Sequence, residues 1–302
     1  MTRQCQFTVF TPTFNRARTL SQVYESLKNQ TYKNFEWLIV DDGSTDDTPQ
    51  LIRNWQLENI IPIRYFHQNN GGKHTGFNRA VREAFGELFL PLDDDDACVP
   101  NALQCLRQWW EEIPSTIRNE FSGVTCHCIN AEGKIIGSRF PRTFFDSDPI
   151  TAATIYKVTG EKWGFHRTEI LRQYPYPQFP GEKLVPDGLV WNRIGMTYKI
   201  RFVDEPLRIH RHLPGGITSR LSYFRAHSPS GTRLYYLEYA KLNISRKYKI
   251  KAVINYFRFS AHGKISPRGA LAELNSGLFG VLLMPLGYMY YLLDLFFLYR
   301  AA

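Results

Sequence analysis

The sequence predicts an α/β protein with a mostly parallel central sheet flanked by helices, followed by a C-terminal helical region. In the first hundred residues, short β-rich runs alternate with segments whose apolar residues recur at helical spacing. Strand-helix-strand repetition at this spacing is typical of a parallel sheet covered on both faces. Polar clusters follow each predicted strand, where ligands bind in such sheets. From Tyr223 the composition becomes basic and aromatic.

Each element is predicted from its own pattern. Apolar stripes at helical spacing separate the first four strands, and Pro49 suits the first turn of the second helix. The next helix is predicted over Asn101–Glu112. The predicted strands are Phe7–Thr11, Phe35–Val40, Ile63–Phe66, Leu88–Leu92, Gly123–Ile129, Lys134–Gly137 and Arg201–Val203.

The domain prediction follows the change in composition. Residues 1–222 are expected to form one catalytic domain, with a donor-binding half over 1–100 and an acceptor half over 101–222. Residues 223–302 form the basic and apolar C-terminal region. Between Arg225 and Arg268 there are ten basic residues and one acidic residue, while the rest of the chain holds 27 of each. A nucleic-acid-binding protein would more often spread its charge over the main domain, so no nucleic-acid partner is expected.

The five cysteines have no zinc-site spacing, and Cys126 and Cys128 alternate with His127 in an apolar stretch. A structural role on one face of a strand is therefore favoured over metal binding. Free thiols and an N-terminus without a signal-peptide pattern predict a reducing, cytoplasmic setting.

Two acidic strand ends carry the main chemical signal. Asp93–Asp96 follows an apolar strand, and consecutive carboxylates repel one another unless a cation or solvent offsets them. Hard divalent cations prefer oxygen ligands. A solvated, capped acidic turn is the plain alternative. The second acidic end, Asp41-Asp42, favours a ligand site instead, because a carboxylate can accept hydrogen bonds from a base or ribose.

A glycine turn precedes the third helix at Asn69–Lys73. Glycines let the backbone approach a ligand, and a helix N-terminus favours anions. The turn is neither a Walker A loop nor a G-x-G-x-x-G fingerprint, so ATPase and Rossmann interpretations lack their motif. A simple capping loop is the alternative.

In order and spacing, four segments together resemble the successive signatures of family 2 glycosyltransferases. The resemblance is close over residues 5–110 and looser to about residue 220. It implies the GT-A fold and an inverting mechanism. The segments are Thr11–Arg16, Val40–Thr48, Asn70–Asn78 and Leu92–Asp96.

The resemblance also implies roles for individual residues. Asp95 is the expected ligand of Mn²⁺ or Mg²⁺, with Asp93 or Asp94 near the ribose, although four consecutive aspartates leave the register open by one. Asp93 and His212, or else His210, are the further metal candidates. The other donor-binding candidates are Thr11, Pro12, Phe14 and Arg16 around the base, Asp42 at the base or ribose, and Lys73, Asn78 and Arg79 on the donor side.

The family's catalytic base is an Asp in a Glu-Asp pair that opens a helix, and Asp187 occupies that place. Pro186 replaces the usual Glu, and Glu182 is the reserve candidate. Helix capping is the alternative for Asp187 and is compatible with a catalytic role. The aromatic segments Trp163–His166 and Tyr174–Phe179 could line an acceptor site or belong to the core.

Gly277–Tyr299 is apolar apart from Asp294, so a spanning helix is possible but would bury a charge at a cost. The preceding basic segment favours an in-plane or re-entrant anchor on an anionic membrane. A helix packed on the catalytic domain, or an oligomer contact, is the alternative.

The sequence thus predicts a metal-dependent inverting transferase that moves a sugar from a nucleotide-sugar, with a UDP-sugar favoured, to a glycan or lipid-linked acceptor. The expected location is the inner face of the cell membrane. A nucleotidyl or other phosphate-donor transferase, and a silent GT-A scaffold that binds nucleotide, are the alternatives.

Overall fold

The computed structural model describes residues 5–211 and 220–298, which contain a mixed sheet and a set of helices. The strands are β1 Phe7–Thr13, β2 Phe35–Asp41, β3 Ile63–His67, β4 Leu88–Pro91, β5 Ala97–Cys98, β6 Phe121–Ile129, β7 Phe144–Ser147, β8 Lys162–Arg167 and β9 Lys199–Ile209. The helices are α1 Leu20–Lys28, α2 Thr48–Glu58, α3 Lys73–Glu83, α4 Ala102–Glu111, α5 Pro149–Thr154, α6 Thr168–Gln173, α7 Gly188–Gly195, α8 Leu221–Ala226, α9 Pro229–Lys241, α10 Arg246–His262, α11 Pro267–Leu274 and α12 Leu278–Leu298.

The sheet has the order β3-β2-β1-β4-β8-β6-β9-β5, and β7 also pairs with β9. Strands β1 to β4 pair with one another in parallel. Strand β8, in contrast, runs antiparallel to both β4 and β6. The α/β class with flanking helices is confirmed. The prediction of a mostly parallel sheet is wrong, because β8 enters the middle of the sheet in the opposite direction and β5 and β7 pair antiparallel with β9.

Two glycines allow β6 and β8 to pair closely. A Cβ at Gly123 would lie 1.8 Å from the carbonyl oxygen of Phe165, and one at Gly164 would lie 2.0 Å from that of Val124. Glycine within a strand often marks such a close approach of another backbone. These positions therefore keep β8, and with it the antiparallel half of the sheet, in contact with β6.

The main core lies around this sheet and includes Cys126 and Cys128 on one face of β6, which confirms their predicted structural role. Helix α4 confirms the helix predicted over Asn101–Glu112. The strand predicted over Lys134–Gly137 is wrong: Ile135 forms only an isolated bridge with Ile129, after a turn.

The chain forms two compact units, one of residues 1–175 and 193–213 and the other of residues 176–192 and 214–302. The first contains the sheet. In the described part of the second, helices α9 to α12 surround their own apolar core, which includes Tyr256 and Phe257. The predicted boundary after residue 222 stays a prediction, but residues 176–192 group with the C-terminal region.

Candidate active site

The loops after β1 and β2 lie side by side because their strands pair in parallel, with Thr13 opposite Asp41. Asn15, at a φ of 55°, accepts hydrogen bonds through Oδ1 from the backbone nitrogens of Thr45 and Asp46, and its own backbone nitrogen donates to Ser44 Oγ. Asparagine tolerates this left-handed conformation better than most residues. The two loops are thus fixed to each other before any ligand binds.

Asp42 organises the glycine turn from the end of β2. Its Oδ1 accepts hydrogen bonds from Gly71 N at 2.9 Å and Gln68 Nε2 at 2.9 Å, and its Oδ2 accepts one from Gly72 N at 2.7 Å. The amides that the sequence offered to a ligand anion therefore bind a carboxylate of the protein itself. Nucleoside recognition by Asp42 stays a prediction and would use the remaining lone pairs of these oxygens.

Asp41 is fully buried, and it accepts hydrogen bonds from Tyr65 Oη and from Ser44 N, each at 2.8 Å. Burial, followed by the hydrogen bond to Asp41, raises the pKa of Tyr65. This aspartate therefore supports the loop rather than facing a ligand.

The three donor-side candidates on α3 have different surroundings. Lys73 begins the helix, and its Nζ lies 2.7 Å from Asp93 Oδ1. Asn78 is buried in the same helix. Arg79 donates from Nη1 to the carbonyl oxygen of His67 at 2.8 Å and lies over the ring of Phe66. Lys73 is therefore in contact with the acidic run, whereas the guanidinium of Arg79 is used at the end of β3.

The four residues predicted to surround the nucleotide base differ in how accessible their side chains are. Thr11 is fully buried, and its Oγ1 accepts a hydrogen bond from Trp37 Nε1 at 2.9 Å, which places the side chain in the core. Pro12 is partly buried, and Phe14 is 45% exposed. Arg16 Nε lies 3.4 Å from Asp94 Oδ1. Phe14 and Arg16 are thus accessible at the strand end, while the Thr11 side chain is not.

Asp96 is the structural member of the acidic run. Its side chain is fully buried and forms an ion pair with Arg208 of β9, whose Nε lies 2.7 Å from Oδ2. Its Oδ1 lies 3.0 Å from His210 Nδ1 and accepts a hydrogen bond from the backbone nitrogen of Arg211. Asp93 and Asp96 raise the pKa of Arg208 although burial lowers it, so the guanidinium stays charged.

Asp93 and Asp94 have opposite electrostatic surroundings. Burial favours the protonated form of Asp93, but Lys73 and Arg208 outweigh it and lower its pKa to about 2. Burial raises the pKa of Asp94 to about 7, and the neighbouring Asp95 and Asp93 add to the rise against the single cation Arg16. Asp93 is thus ionised at neutral pH, whereas Asp94 takes up a proton far more easily than an ordinary aspartate.

Within residues 5–211 and 220–298, Asp95 has no ion-pair partner. Burial raises its pKa, and the charges of Asp96 and Asp93 raise it further. No group of three His, Cys, Asp or Glu side chains in those residues could hold a metal ion. A divalent ion can bind through one or two carboxylates and the phosphates of a substrate. The unpaired Asp95 fits that donor-bridged arrangement.

The histidine candidates differ in what the structure describes. His212 lies outside the described residues. The Nδ1 of His210 lies 3.0 Å from Asp96 Oδ1, and this hydrogen bond raises the pKa of His210. His210 therefore supports Asp96 through Nδ1, and its role as a metal ligand stays a prediction.

In the second unit, the carboxylates of Asp187 and Glu182 have different partners. Asp187 is exposed immediately before α7, where its carbonyl oxygen accepts the first helical hydrogen bonds and Tyr176 Oη donates to its Oδ1 at 3.1 Å. Glu182 accepts hydrogen bonds from Ser230 N at 2.7 Å and Gly231 N at 2.9 Å. The reserve candidate thus caps the start of α9, while Asp187 has an accessible carboxylate.

The predicted aromatic platforms belong mostly to the core. Trp163 and Phe165 of β8 are buried, and Trp163 Nε1 donates to the carbonyl oxygen of Pro91. Tyr176 is buried as well, while Tyr174 and Phe179 are partly exposed. The core interpretation is therefore correct for β8.

Sequence reasoning missed Arg208. It lies 112 positions from Asp96 and 115 from Asp93, and the pairing of β9 with β5 and β6 brings them together. The one available signal was a basic residue alternating with His210 and His212 at the end of a strand.

Comparison with known proteins supports the N-terminal motifs. Residues 8–119 match the family model described as Glycosyl transferase family 2. A beta-1,3-glucosyltransferase of Campylobacter jejuni, named for GalNAc(5)-diNAcBac-PP-undecaprenol, is 26% identical over 271 residues, which cover 85% of this chain and 82% of that protein. An uncharacterized glycosyltransferase of Rickettsia bellii is 32% identical over 136 residues, but the chain spans only 19% of its length.

Solved structures show the fold. TarS of S. aureus in complex with UDP has a TM-score of 0.63 at 19% identity, over 94% of this chain and 86% of that one. A mannosyltransferase of Pyrobaculum calidifontis in complex with GDP-Man and Mn²⁺ has a TM-score of 0.55 at 19% identity, over 98% and 82% of the two chains. The chain therefore has a GT-A-like α/β fold, and its residues 8–119 match the family 2 glycosyltransferase model.

Proposed function

We propose that this chain, with its family 2 segment at residues 8–119, is a metal-dependent inverting glycosyltransferase. It moves a sugar from a nucleotide-diphosphate sugar to a glycan or lipid-linked acceptor by single displacement. The observation that carries the proposal is the unpaired carboxylate of Asp95, since Asp93, Asp94 and Asp96 each have a cationic partner. One carboxylate is thus kept for an external cation.

The donor would bind along the carboxyl ends of β1, β2 and β4. Phe14 and Arg16 are accessible there for the base, with Asp42 beside it, and Lys73 offers a cation to the diphosphate if it exchanges Asp93 for the ligand. A divalent ion, Mn²⁺ or Mg²⁺, would bind Asp95 and neutralise the charge that develops on the leaving diphosphate. UDP is the favoured nucleotide, as UDP is bound in the similar structure of TarS.

The acceptor side rests on Asp187. In a single displacement, the acceptor hydroxyl oxygen bonds to the anomeric carbon, the bond from that carbon to the diphosphate oxygen breaks, and a base takes the hydroxyl proton. Asp187 is exposed and held by Tyr176, so it can act as that base. A lipid-linked acceptor would suit a location at the cytoplasmic face of the cell membrane, and the Campylobacter relative is named for a substrate on undecaprenol.

Nucleotide-sugars should first be screened for thermal stabilisation of the protein with and without Mn²⁺. The best donor is then used to measure release of nucleoside diphosphate. Asp187→Asn should lower kcat by about a hundredfold or more with the donor KM little changed, because only proton transfer is lost. The matched control is Glu182→Gln, which should lower stability and leave kcat near wild type, because Glu182 caps α9.

Other outcomes favour the alternatives. Release of pyrophosphate in place of a nucleoside diphosphate would identify a nucleotidyl transferase. Metal-dependent nucleotide binding without turnover of any donor and acceptor would identify a silent scaffold. Unchanged kcat in Asp187→Asn would remove Asp187 as the base.

A further inference from the structure

Helix α12 packs on α10 along one seam. Its buried positions, Gly280, Gly287 and Asp294, recur every seven residues and so share one stripe of the helix, on which Gly280 lies beside Leu271 and Leu274 of α11 and the other two face α10. A Cβ at Gly287 would lie 2.5 Å from Cβ of Phe257 and 2.7 Å from the carbonyl oxygen of Ile254. The two helix backbones are therefore in close contact at this glycine.

Asp294 lies on the same seam and is neutralised within the helix pair. Its Oδ2 accepts a hydrogen bond from Arg258 Nε at 2.6 Å and lies 2.9 Å from His262 Nε2, and Arg258 also contacts Oδ1. The expectation that this aspartate would place a charge in a membrane is thus revised, since the carboxylate points toward α10.

The opposite face of α12 is exposed and uniformly apolar. Monomeric soluble proteins rarely expose a contiguous apolar patch of more than a few hundred Å², and larger patches mark contacts with a protein or a membrane. The outward side chains are Leu278, Val281, Leu282, Leu286, Met289, Tyr290, Leu292, Leu293, Phe296 and Phe297. Such a face calls for an apolar partner.

Charge on the neighbouring helix identifies the kind of partner. Helix α10 begins with Arg246, Lys247, Lys249 and Lys251 and has no acidic residue in its first turn. Cations at a helix N-terminus are unfavourable, because the helix dipole is positive there. Three of the four, Arg246, Lys247 and Lys251, are exposed. An anionic surface would offset this unfavourable interaction between the cations and the helix dipole.

We propose that the second unit docks on an anionic lipid leaflet, with α12 lying in the plane of the interface and α10 setting its basic first turn against the headgroups. An apolar helix face beside clustered cations is the pattern of an interfacial helix. Because α12 is held to α10 at Gly287 and Asp294, a spanning α12 would carry Arg258 and the lysines of α10 into hydrocarbon. The proposal rests on the location given under the proposed function and adds its surface and mode.

The test uses the full chain and vesicles of phosphatidylcholine with or without phosphatidylglycerol. The protein should sediment only with the anionic vesicles at low salt and be released at high salt. The triple variant Leu282→Gln, Leu286→Gln, Leu293→Gln should lose this binding. Leu57→Gln, a leucine that is 85% exposed on α2, is the matched control and should bind as wild type does.

A second variant tests whether vesicle binding requires the basic residues of α10. Arg246→Gln, Lys247→Gln, Lys251→Gln together should weaken vesicle binding about a hundredfold, as each cation near an anionic leaflet contributes about a factor of five. The matched control neutralises three exposed cations of the first unit, Arg53, Lys134 and Arg142, and should bind as wild type. Circular dichroism and thermal unfolding establish that each variant is folded.

The depth of α12 in the bilayer distinguishes a helix that lies in the interface from one that spans the membrane. Leu282→Trp and Leu293→Trp should be quenched equally by lipids brominated near the headgroups, and the protein should be extracted by alkaline carbonate. Unequal depths with resistance to carbonate would overturn the in-plane mode. Absence of vesicle binding, or binding unaffected by the triple variants, would overturn the proposal.

If sedimentation velocity shows a dimer that the leucine variants dissociate, with no vesicle binding, the face belongs to a second copy and the lipid proposal fails. Nucleoside diphosphate release is measured on the same samples without vesicles. Loss of docking with intact release would leave the proposed function standing, and the reverse would leave the docking surface standing.

Discussion

At the scale of single residues, four consecutive aspartates have four different surroundings because each meets different cations. Asp96 is buried on Arg208, Asp93 is bound by Lys73 and Arg208, and Asp94 faces Arg16. Asp95 alone is unpaired within the described residues. The sequence leaves the register of the run open by one residue, and Asp95 stays our proposed ligand. Asp96 is a poor candidate because its oxygens already bind Arg208, His210 and the backbone of Arg211.

Two isosteric variants of adjacent residues should therefore fail in different ways. Asp95→Asn should keep the free energy of unfolding near wild type, since it removes only repulsion, but should lose the Mn²⁺-dependent thermal stabilisation by a nucleoside diphosphate. Asp96→Asn should lower the free energy of unfolding by about 3–5 kcal/mol, because it leaves the buried Arg208 without its main counter-charge.

Urea unfolding measures the first quantity, and thermal shift against Mn²⁺ concentration at fixed nucleotide measures the second. An Asp95→Asn protein that keeps the full metal-dependent shift would contradict its role as a ligand. An Asp96→Asn protein as stable as wild type would show that Arg208 does not depend on that carboxylate.

At the scale of elements, the sequence alone predicts a strand or helix correctly where its apolar residues recur with a regular period. Strands β1 to β4 were predicted because apolar runs end at polar clusters, and α4 because its apolar residues share one face. Strand β8 was missed because Trp163 and Phe165 also fit a surface platform for sugars. Only the tertiary pairing with β4 and β6 buries them.

The buried face of α12 could not be predicted from the sequence either, because the helix is apolar all round and no polar stripe marks its exposed side. Gly287 marks the buried face by its contact with Phe257. Gly287→Ala should therefore destabilise the second unit by about 1–3 kcal/mol, since a methyl group must displace the backbone of α10. Leu286→Ala, one position away on the exposed face, should change stability by less than about 0.5 kcal/mol.

Chemical denaturation with tyrosine and tryptophan fluorescence, together with limited proteolysis after α11, would measure this difference. Equal effects of Gly287→Ala and Leu286→Ala would mean that α12 does not pack on α10 through this glycine.

At the scale of the whole molecule, the features that sequence reasoning could not supply are those that join distant parts of the chain. Motif order predicts a donor site at the strand ends, because parallel strands bring their carboxyl ends together. The partner of Asp96 comes from β9, and its position depends on β6 and β9 pairing in parallel. No local signal in Asp93–Asp96 specifies a guanidinium more than a hundred residues away.

The mixed sheet also holds a partly buried titratable ring at its centre, His166, whose Nδ1 is shielded from solvent, and this ring links the stability of the whole unit to pH. His166 of β8 pairs with Phe89 of β4 and Gly123 of β6, and burial lowers its pKa to about 4. An unfolded histidine has a pKa of about 6.5, so the unfolded chain binds this proton first as the pH falls. The stabilisation is fully present above about pH 6.5 and is lost progressively as the pH falls toward 4.

The expected loss from this residue is up to about 3 kcal/mol, because a tenfold difference in proton affinity between the folded and unfolded chains corresponds to about 1.4 kcal/mol. Other carboxyls titrate over part of the same pH range, so the contribution of His166 is measured as the difference in free energy of unfolding between wild type and a variant. Urea unfolding of wild type and His166→Gln is compared from neutral pH to about pH 4.5, and wild type should lose more free energy of unfolding as the pH falls. His67→Gln, at the exposed end of β3, is the matched control and should run parallel to wild type. If the His166→Gln curve also runs parallel to wild type, the ring already accepts a proton in the folded sheet, and burial between β4 and β6 does not keep it neutral.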